Sequence, residues 1–219
     1  MKTWPNIGGP LADYVDSNWL RESPLKRRLR DETAKLPQAM MQISAHQGQQ
    51  IGLLARAIGA RRAVEVGTFT GYSALNIAEA LPADGKLWCC DVSEDWTRIA
   101  KRYWQEAGLD GRIELTIGPA IKTLDWLLAQ GLAGQLDLAF IDANKSDYDS
   151  YYERCLKLVR RGGLILVDNV LWGGSVVDAA DNDADTLAIR ALNAKLRTDE
   201  RVDLTLFATG DGMTCALKR

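Results

Sequence analysis

The sequence predicts an α/β protein whose doubly wound, mostly parallel sheet follows a helical N-terminal extension. Three observations carry this. From Arg62 onward, short apolar runs recur as "RAVEVG", "KLWCCD", "RIELTIG", "LDLAFID" and "GLILVDN". Helix-length amphipathic segments separate them, which is the pattern of strands covered on both faces. The closing "RVDLTLFA" and "GMTCALK", joined by "TGDG", read as an antiparallel hairpin turned at Gly-Asp-Gly.

The elements follow in order. Pro10–Leu20, Pro24–Lys35 and Ser44–Ile58 read as helices. The third has the clearest ends: Ser44 and Gln47 match a capping box, and Gly59 suits the position just past the helix. Alternating strands and helices occupy the middle of the chain, and Ala184–Arg197 is the last helix before the hairpin. At 219 residues, with no repeat or low-complexity linker, the expectation is one domain, with residues 1–58 as the helical extension and 59–219 as the core.

Composition narrows the function classes. Hydrophobic content of 47% and a formal charge of −2 describe an ordinary globular protein. They argue against nucleic-acid or anionic-membrane partners, which favour a basic excess. No apolar run is long enough to span a bilayer and no signal-like segment opens the chain, so the expectation is a cytoplasmic protein. Cys89, Cys90, Cys155 and Cys215 form no C-x-x-C pair and read as buried free thiols.

In doubly wound sheets, ligands sit outside the carboxyl ends of the strands. Those ends here carry Glu65 with Gly67, then Asp91, Asp142, and Asp168 with Asn169. "VEVGTFTGYSALNIAEALP" is a strand, a glycine turn and a helix, in which Gly67 and Gly71 permit a sharp turn and close ligand approach. Asp91, about twenty residues beyond Gly71, suits two ribose hydroxyls. The turn lacks the G-x-G-x-x-G spacing of dinucleotide sites, and a carboxylate at Glu65 would repel a pyrophosphate. The same carboxylate suits a cationic ligand such as a sulfonium bearing an amino-acid tail.

"FIDANKSDYDSYYE" and "LVDNV" supply the other half of the site. Asp142, Asp168 and Asn169 on neighbouring strand ends make an all-oxygen donor set suited to Mg²⁺ or Ca²⁺, possible also for Mn²⁺. Ser146 and Asp149 match a capping box for the next helix, which leaves Asp142 free for chemistry. A metal beside Lys145 would lower that lysine's pKa and fit it to act as a base. Trp172, Tyr148 and Tyr151 are candidates to stack on an aromatic acceptor. Gly173–Asp185, rich in small and acidic residues, reads as a mobile loop over it.

The motifs "VEVGTFTGYSALNIAEALP", "FIDANKSDY" and "LILVDNVLWGG", in this order, resemble the cation-dependent class I O-methyltransferases, the group of caffeoyl-CoA and catechol O-methyltransferases, and most of all their small bacterial members. The resemblance runs from about Ser44 to the C-terminal "GDGMTCALKR". It implies a seven-stranded Rossmann-like sheet with an antiparallel last strand, S-adenosylmethionine as donor, a catechol-like small-molecule acceptor and a homodimer. By motif, Ile43, Glu65, Gly67, Thr68, Ser73, Asp91, Ala120, Asp142 and Tyr151 would line the cofactor. Asp142, Asp168 and Asn169 would hold the metal, with Lys145 as the base beside Asp142.

There are departures. Asn144 stands where the family usually has a second Asp, and Ile43 and Gly173 replace a Thr and an Asn of the plant members. Acyl-CoA specificity is therefore not carried over. The cluster Lys26, Arg27, Arg28 and Arg30 reads as a solvated helix face, with CoA phosphates as the alternative. His46 reads as a surface or packing residue. The rival readings are an NAD-dependent oxidoreductase, a nucleic-acid methyltransferase and a non-catalytic cofactor-binding protein.

Overall fold

A computed structural model describes residues 8–219. Three helices come first: α1 (Pro10–Trp19), α2 (Pro24–Thr33) and α3 (Ala45–Ala57). Ser44 caps α3 by accepting a hydrogen bond from the Gln47 backbone N–H at 3.2 Å, and Gly59 leaves the helix at φ +63°. The remaining elements are β1 (Arg62–Val66), α4 (Tyr72–Ala80), β2 (Lys86–Asp91), α5 (Glu94–Glu106), β3 (Ile113–Ile117), α6 (Ala120–Ala129), β4 (Leu136–Ile141), α7 (Tyr148–Leu158), β5 (Val159–Val167), α8 (Ala184–Thr198), β6 (Val202–Phe207) and β7 (Met213–Lys218).

The strands form one seven-stranded sheet in the order β3-β2-β1-β4-β5-β7-β6. β1 to β5 pair in parallel, and β7 is antiparallel to both β5 and β6. The double winding is legible residue by residue. Leu138, Phe140, Leu164 and Leu166 face one buried cluster with α3, α4 and α5, while Ala139, Ile141, Ile165 and Val167 face another with α6, α7 and α8. Strands buried on both sides cannot alternate polar and apolar residues, which is why they read as continuous apolar runs.

The chain order reverses between β1 and β4, with β2 on one side and β5 on the other. Ile141 is in register with Val167, so the residues that follow them, Asp142 and Asp168, leave the sheet side by side. β7 enters between β5 and β6. Its preceding turn reaches back over the site: Val170 and Leu171 donate backbone hydrogen bonds to Gly212 and Asp211.

One helix start differs from the expectation. After Asn144 a single 3₁₀ turn, Lys145–Asp147, precedes α7, which begins at Tyr148 with Asp147 at its N-cap and no side-chain cap. Ser146 instead accepts from Asn144 Nδ2 at 3.1 Å, and Asp149 pairs with Lys195 at 2.5 Å. The extra turn points Lys145 back toward the strand ends, a tertiary contact that outweighs the local capping pattern. All four cysteines are buried free thiols. Among the described residues, no helix is long and apolar enough to cross a membrane.

Candidate active site

A cavity of about 1030 Å³ opens over the carboxyl ends of β1, β2, β4 and β5. Its wall includes Ile43, Gly67, Thr68, Ser73, Asp91 and Ala120 toward β2, and Asp142, Lys145, Asp168, Asn169 and Trp172 toward β5.

At the β2 end the backbone turns at Gly67, φ +94°, where a Cβ would lie 2.1 Å from the Asp142 carbonyl oxygen. Only glycine lets the two strand ends approach so closely. Asp91 Oδ2 accepts the Thr68 and Phe69 backbone N–H groups at 3.0 and 2.7 Å, and Oδ1 accepts that of Ser93 at 2.8 Å. With three of roughly four lone-pair sites engaged, about one remains for a ligand hydroxyl. Asp91 thus closes its own turn while lining the cavity.

Glu65 is not on the cavity wall. Its carboxylate is fully buried, with Oε2 accepting from Thr68 Oγ1 at 3.0 Å and Cys89 Sγ at 3.5 Å, while Oε1 has no partner among the described residues. Burial pushes it up to about 7, only partly offset by Ser73, Thr68 and Cys89. Glu65, expected from the sequence to contact a ligand, thus lies behind the wall residues Thr68 and Ser73.

At the β5 end, Lys145 is buried and donates to Asp142 Oδ1 at 3.0 Å and Asn169 Oδ1 at 2.7 Å. Its Nζ lies 4.9 Å from the Tyr148 ring centroid and 5.6 Å from that of Trp172. Asn169 adopts φ +57°, and its N–H donates to Asp168 Oδ1 at 2.8 Å. Burial holds the Asp142 carboxyl well above the ordinary carboxylate range; Lys145 opposes this and Asp168 adds to it. Asp168 is likewise raised by burial, opposed by the Asn169 N–H and by Gln47.

Tyr148 departs from its predicted role. It is fully buried, absent from the wall, and donates its hydroxyl to the Asp168 carbonyl at 3.1 Å, so it braces the metal-ligand candidates and cannot stack on an acceptor. Trp172 and Tyr151 do reach the wall. Tyr151 donates to Asn144 Oδ1 at 2.6 Å, and Asn144 Nδ2 reaches Asp147 at 2.7 Å. The segment after Trp172 is tied down by Arg190, which donates to the carbonyls of Val176, Asp181 and Ser175 at 3.0, 2.8 and 2.7 Å. His46 pairs with Asp16 at 2.7 Å, away from the reactive groups.

Comparison with known proteins decides the family. Residues 16–219 match the O-methyltransferase family model. The chain belongs to the O-methyltransferase family. Mouse (Mus musculus) catechol O-methyltransferase domain-containing protein 1 is 40% identical over 214 residues, covering 98% of this chain and 82% of that protein. Caffeoyl-CoA O-methyltransferase 2 of Populus trichocarpa is 38% identical, covering 93% and 86%. Two solved O-methyltransferases share the fold. TomG from Streptomyces achromogenes, in complex with SAM, gives a TM-score of 0.85 at 34% identity, covering 94% of each chain. The Bacillus cereus enzyme, in complex with SAH, gives 0.86 at 29%, covering 94% and 96%.

The residues of this O-methyltransferase also bear on the cation that the resemblance implies. Among the described residues, no cluster of three His, Cys, Asp or Glu side chains forms a metal site. A cation at Asp142 and Asp168 would take the Asn169 amide oxygen as its third protein donor. Two carboxylates destabilised by burial, opposed by one ammonium, leave a deficit of positive charge, and the donors are all oxygen. That combination fits a hard divalent ion.

One wall residue escaped the sequence reading. Gln47 was noted only as part of a cap, yet it is buried in the cavity wall, and its amide nitrogen makes no hydrogen bond among the described residues. Helical spacing alone places it on the inward face of α3. That it shares a cavity with Asp168 depends on how α3 meets β5, which no local pattern records.

Proposed function

We propose that the protein transfers the methyl group of S-adenosylmethionine to one oxygen of a vicinal-dihydroxy aromatic small molecule, with a divalent cation held by Asp142, Asp168 and Asn169. The observation that carries this reading is the convergence of these three residues and Lys145 in the same cavity as Asp91 and the Gly67 turn. The SAM-bound TomG and SAH-bound Bacillus cereus structures support the choice of donor.

When bound, the sulfonium supplies an electrophilic methyl group and the cation polarises the acceptor oxygens toward phenolate. The protein's own residues do the rest. Asp91 and the Gly67 turn fix the donor's nucleoside end. Glu65, with an unpartnered oxygen behind the wall, favours a cationic ligand through its field. Lys145 Nζ, placed by Asp142 and Asn169, is the base of this reading: with a cation bound beside it, it would first release its ammonium proton to solvent and, as the neutral amine, take the hydroxyl proton, while the Trp172 ring offers an aromatic wall to the acceptor. Most of the rate gain then comes from positioning two reactants in line.

The acceptor is a small molecule without an acyl-CoA arm. Each cation of the N-terminal cluster is already paired: Lys26 with Glu79 at 2.6 Å, Arg27 and Arg30 with Glu22 at 3.5 and 2.9 Å, and Arg28 with Glu106. Among the described residues, the cavity wall holds Asp147, Asp185 and Asp211 but no basic residue other than Lys145. Phosphates would be repelled there. A cytoplasmic homodimer belongs to the same reading: buried thiols suit a reducing compartment, and exposed Tyr14, Trp19 and Leu53 offer apolar surface to a second copy.

The test is methyl transfer from S-adenosylmethionine to a panel of catechols with Mg²⁺, with and without EDTA, resolving the regioisomers. Activity that EDTA abolishes and Mg²⁺ restores is expected. Turnover indifferent to chelation would remove the metal from the reading, and inertness toward every catechol would remove the acceptor.

A further inference from the structure

Gln47 carries an inference beyond that reading, on which it rests. Its position is fixed from two sides. The backbone is locked in the first turn of α3 by the Ser44 cap, and the side chain passes against Gly210, where a Cβ would come within 2.7 Å of Gln47 Oε1. Gly210 itself sits at φ +61° in the turn between β6 and β7, so both its conformation and its missing side chain make room for this amide.

The residue is 2% exposed and belongs to the cavity wall. Its Nε2 has no hydrogen-bond partner among the described residues, and Asp168 lines the same cavity. A Cβ at Gly210 would lie 2.7 Å from Oε1 and 3.9 Å from Nε2, so the oxygen is the end turned toward Gly210 and the nitrogen the end turned away from it. A primary amide nitrogen carries two hydrogens, and Asp168 can use at most one in this direction. A buried donor left unmade costs stability, and proteins retain such groups chiefly where something else completes them.

We propose that Gln47 is an acceptor-binding residue, donating from Nε2 to the oxygen of the vicinal diol that is not methylated, at the Asp168 end of the cavity. The diol's second oxygen thereby meets a neutral donor. A lysine in the same place would add charge beside Lys145, and a carboxylate would repel Asp168.

The test replaces the donor without shortening the side chain, as Gln47→Met, and titrates a catechol into the protein loaded with S-adenosylhomocysteine and Mg²⁺. Loss of one hydrogen bond is expected to weaken catechol binding about tenfold. In turnover, KM should rise about as much while kcat stays within about twofold, the pattern of lost uniform binding. Binding of S-adenosylhomocysteine alone, read by calorimetry, should be unchanged, which also reports that the variant is folded.

Unchanged catechol affinity overturns the proposal. So does an equal loss for an acceptor with a single hydroxyl, because the contact is assigned to the second oxygen. A parallel fall in S-adenosylhomocysteine affinity would show a structural role and overturn it too. In each of these cases a catechol-active wild type leaves the broader reading standing, whereas a wild type inert toward catechols defeats both.

Discussion

Replacing Glu65 with glutamine should stabilise the ligand-free protein at alkaline pH and do progressively less as the pH falls. Glu65 is completely buried, and burial raises it from an ordinary 4.5 to about 7. Between those values the folded protein holds a proton that the unfolded chain has released. The contribution of Glu65 to stability is therefore fully present below pH 4.5 and is lost as the pH rises through 7. A rise of this size corresponds to about 3 kcal/mol at pH 8, at about 1.4 kcal/mol per pH unit. Glutamine does not ionise. Its amide nitrogen would take the place of the partnerless Oε1, at a cost that does not vary with pH. Urea unfolding of both proteins from about pH 4.5 to 8.5 separates the two effects. The difference in unfolding free energy should shift in favour of the variant by about 3 kcal/mol across that range. A difference that stays constant with pH would mean that Glu65 ionises as it does in water, and the account of its burial would be wrong. The same variant should bind S-adenosylmethionine more weakly, because the field that favours a cation is gone.

Three further outcomes follow from the geometry. On the proposed metal site, Asp168→Asn should reduce methyl transfer by more than about a hundredfold, since even the outer partners of metal ligands cost 10–100-fold; raising Mg²⁺ should recover only part of it in initial-rate assays. Gly67→Ala should destabilise the fold by about 3 kcal/mol or more, because a Cβ would sit 2.1 Å from a backbone oxygen at φ +94°. Thermal unfolding measures this, and a melting temperature within a degree or two of wild type would contradict the close approach. Finally, a simple catechol should be methylated with higher kcat/KM than its acyl-CoA ester, the ester improving as salt screens the acidic wall; the reverse preference would refute the charge argument.

Much of the fold is legible because strands buried on two faces leave apolar runs of a length no other element shares. The strand-end acids are legible for the complementary reason: a carboxylate that ends such a run has few purely structural uses. What the sequence hides is side-chain direction wherever distant elements decide it. Tyr148 and Tyr151 are three residues apart on one helix, yet the first braces Asp168 and only the second reaches the cavity. Ser146 and Asp149 carry a sound capping pattern that loses to the inward pull on Lys145. The basic cluster on α2 looks free in one dimension, because its partners Glu79 and Glu106 lie on α4 and α5. Gln47 is hidden in the same way, by a cap that fully accounts for its place in the sequence.

The insertion of β7 between β5 and β6 has a consequence for how the protein is made. Asp211 accepts the Gly173 N–H on its carboxylate at 2.8 Å and the Leu171 N–H on its carbonyl at 3.0 Å, so the turn before β7 splints the loop that follows Asn169. During synthesis the residues up to Asn169, which supply all five parallel strands, emerge first, but the brace over the reactive end arrives only with the final strand. A nascent chain can therefore hold its sheet before it holds a finished site. Until β7 slots in, β5 presents an open edge, and the hazard is greatest there for pairing with a neighbouring chain.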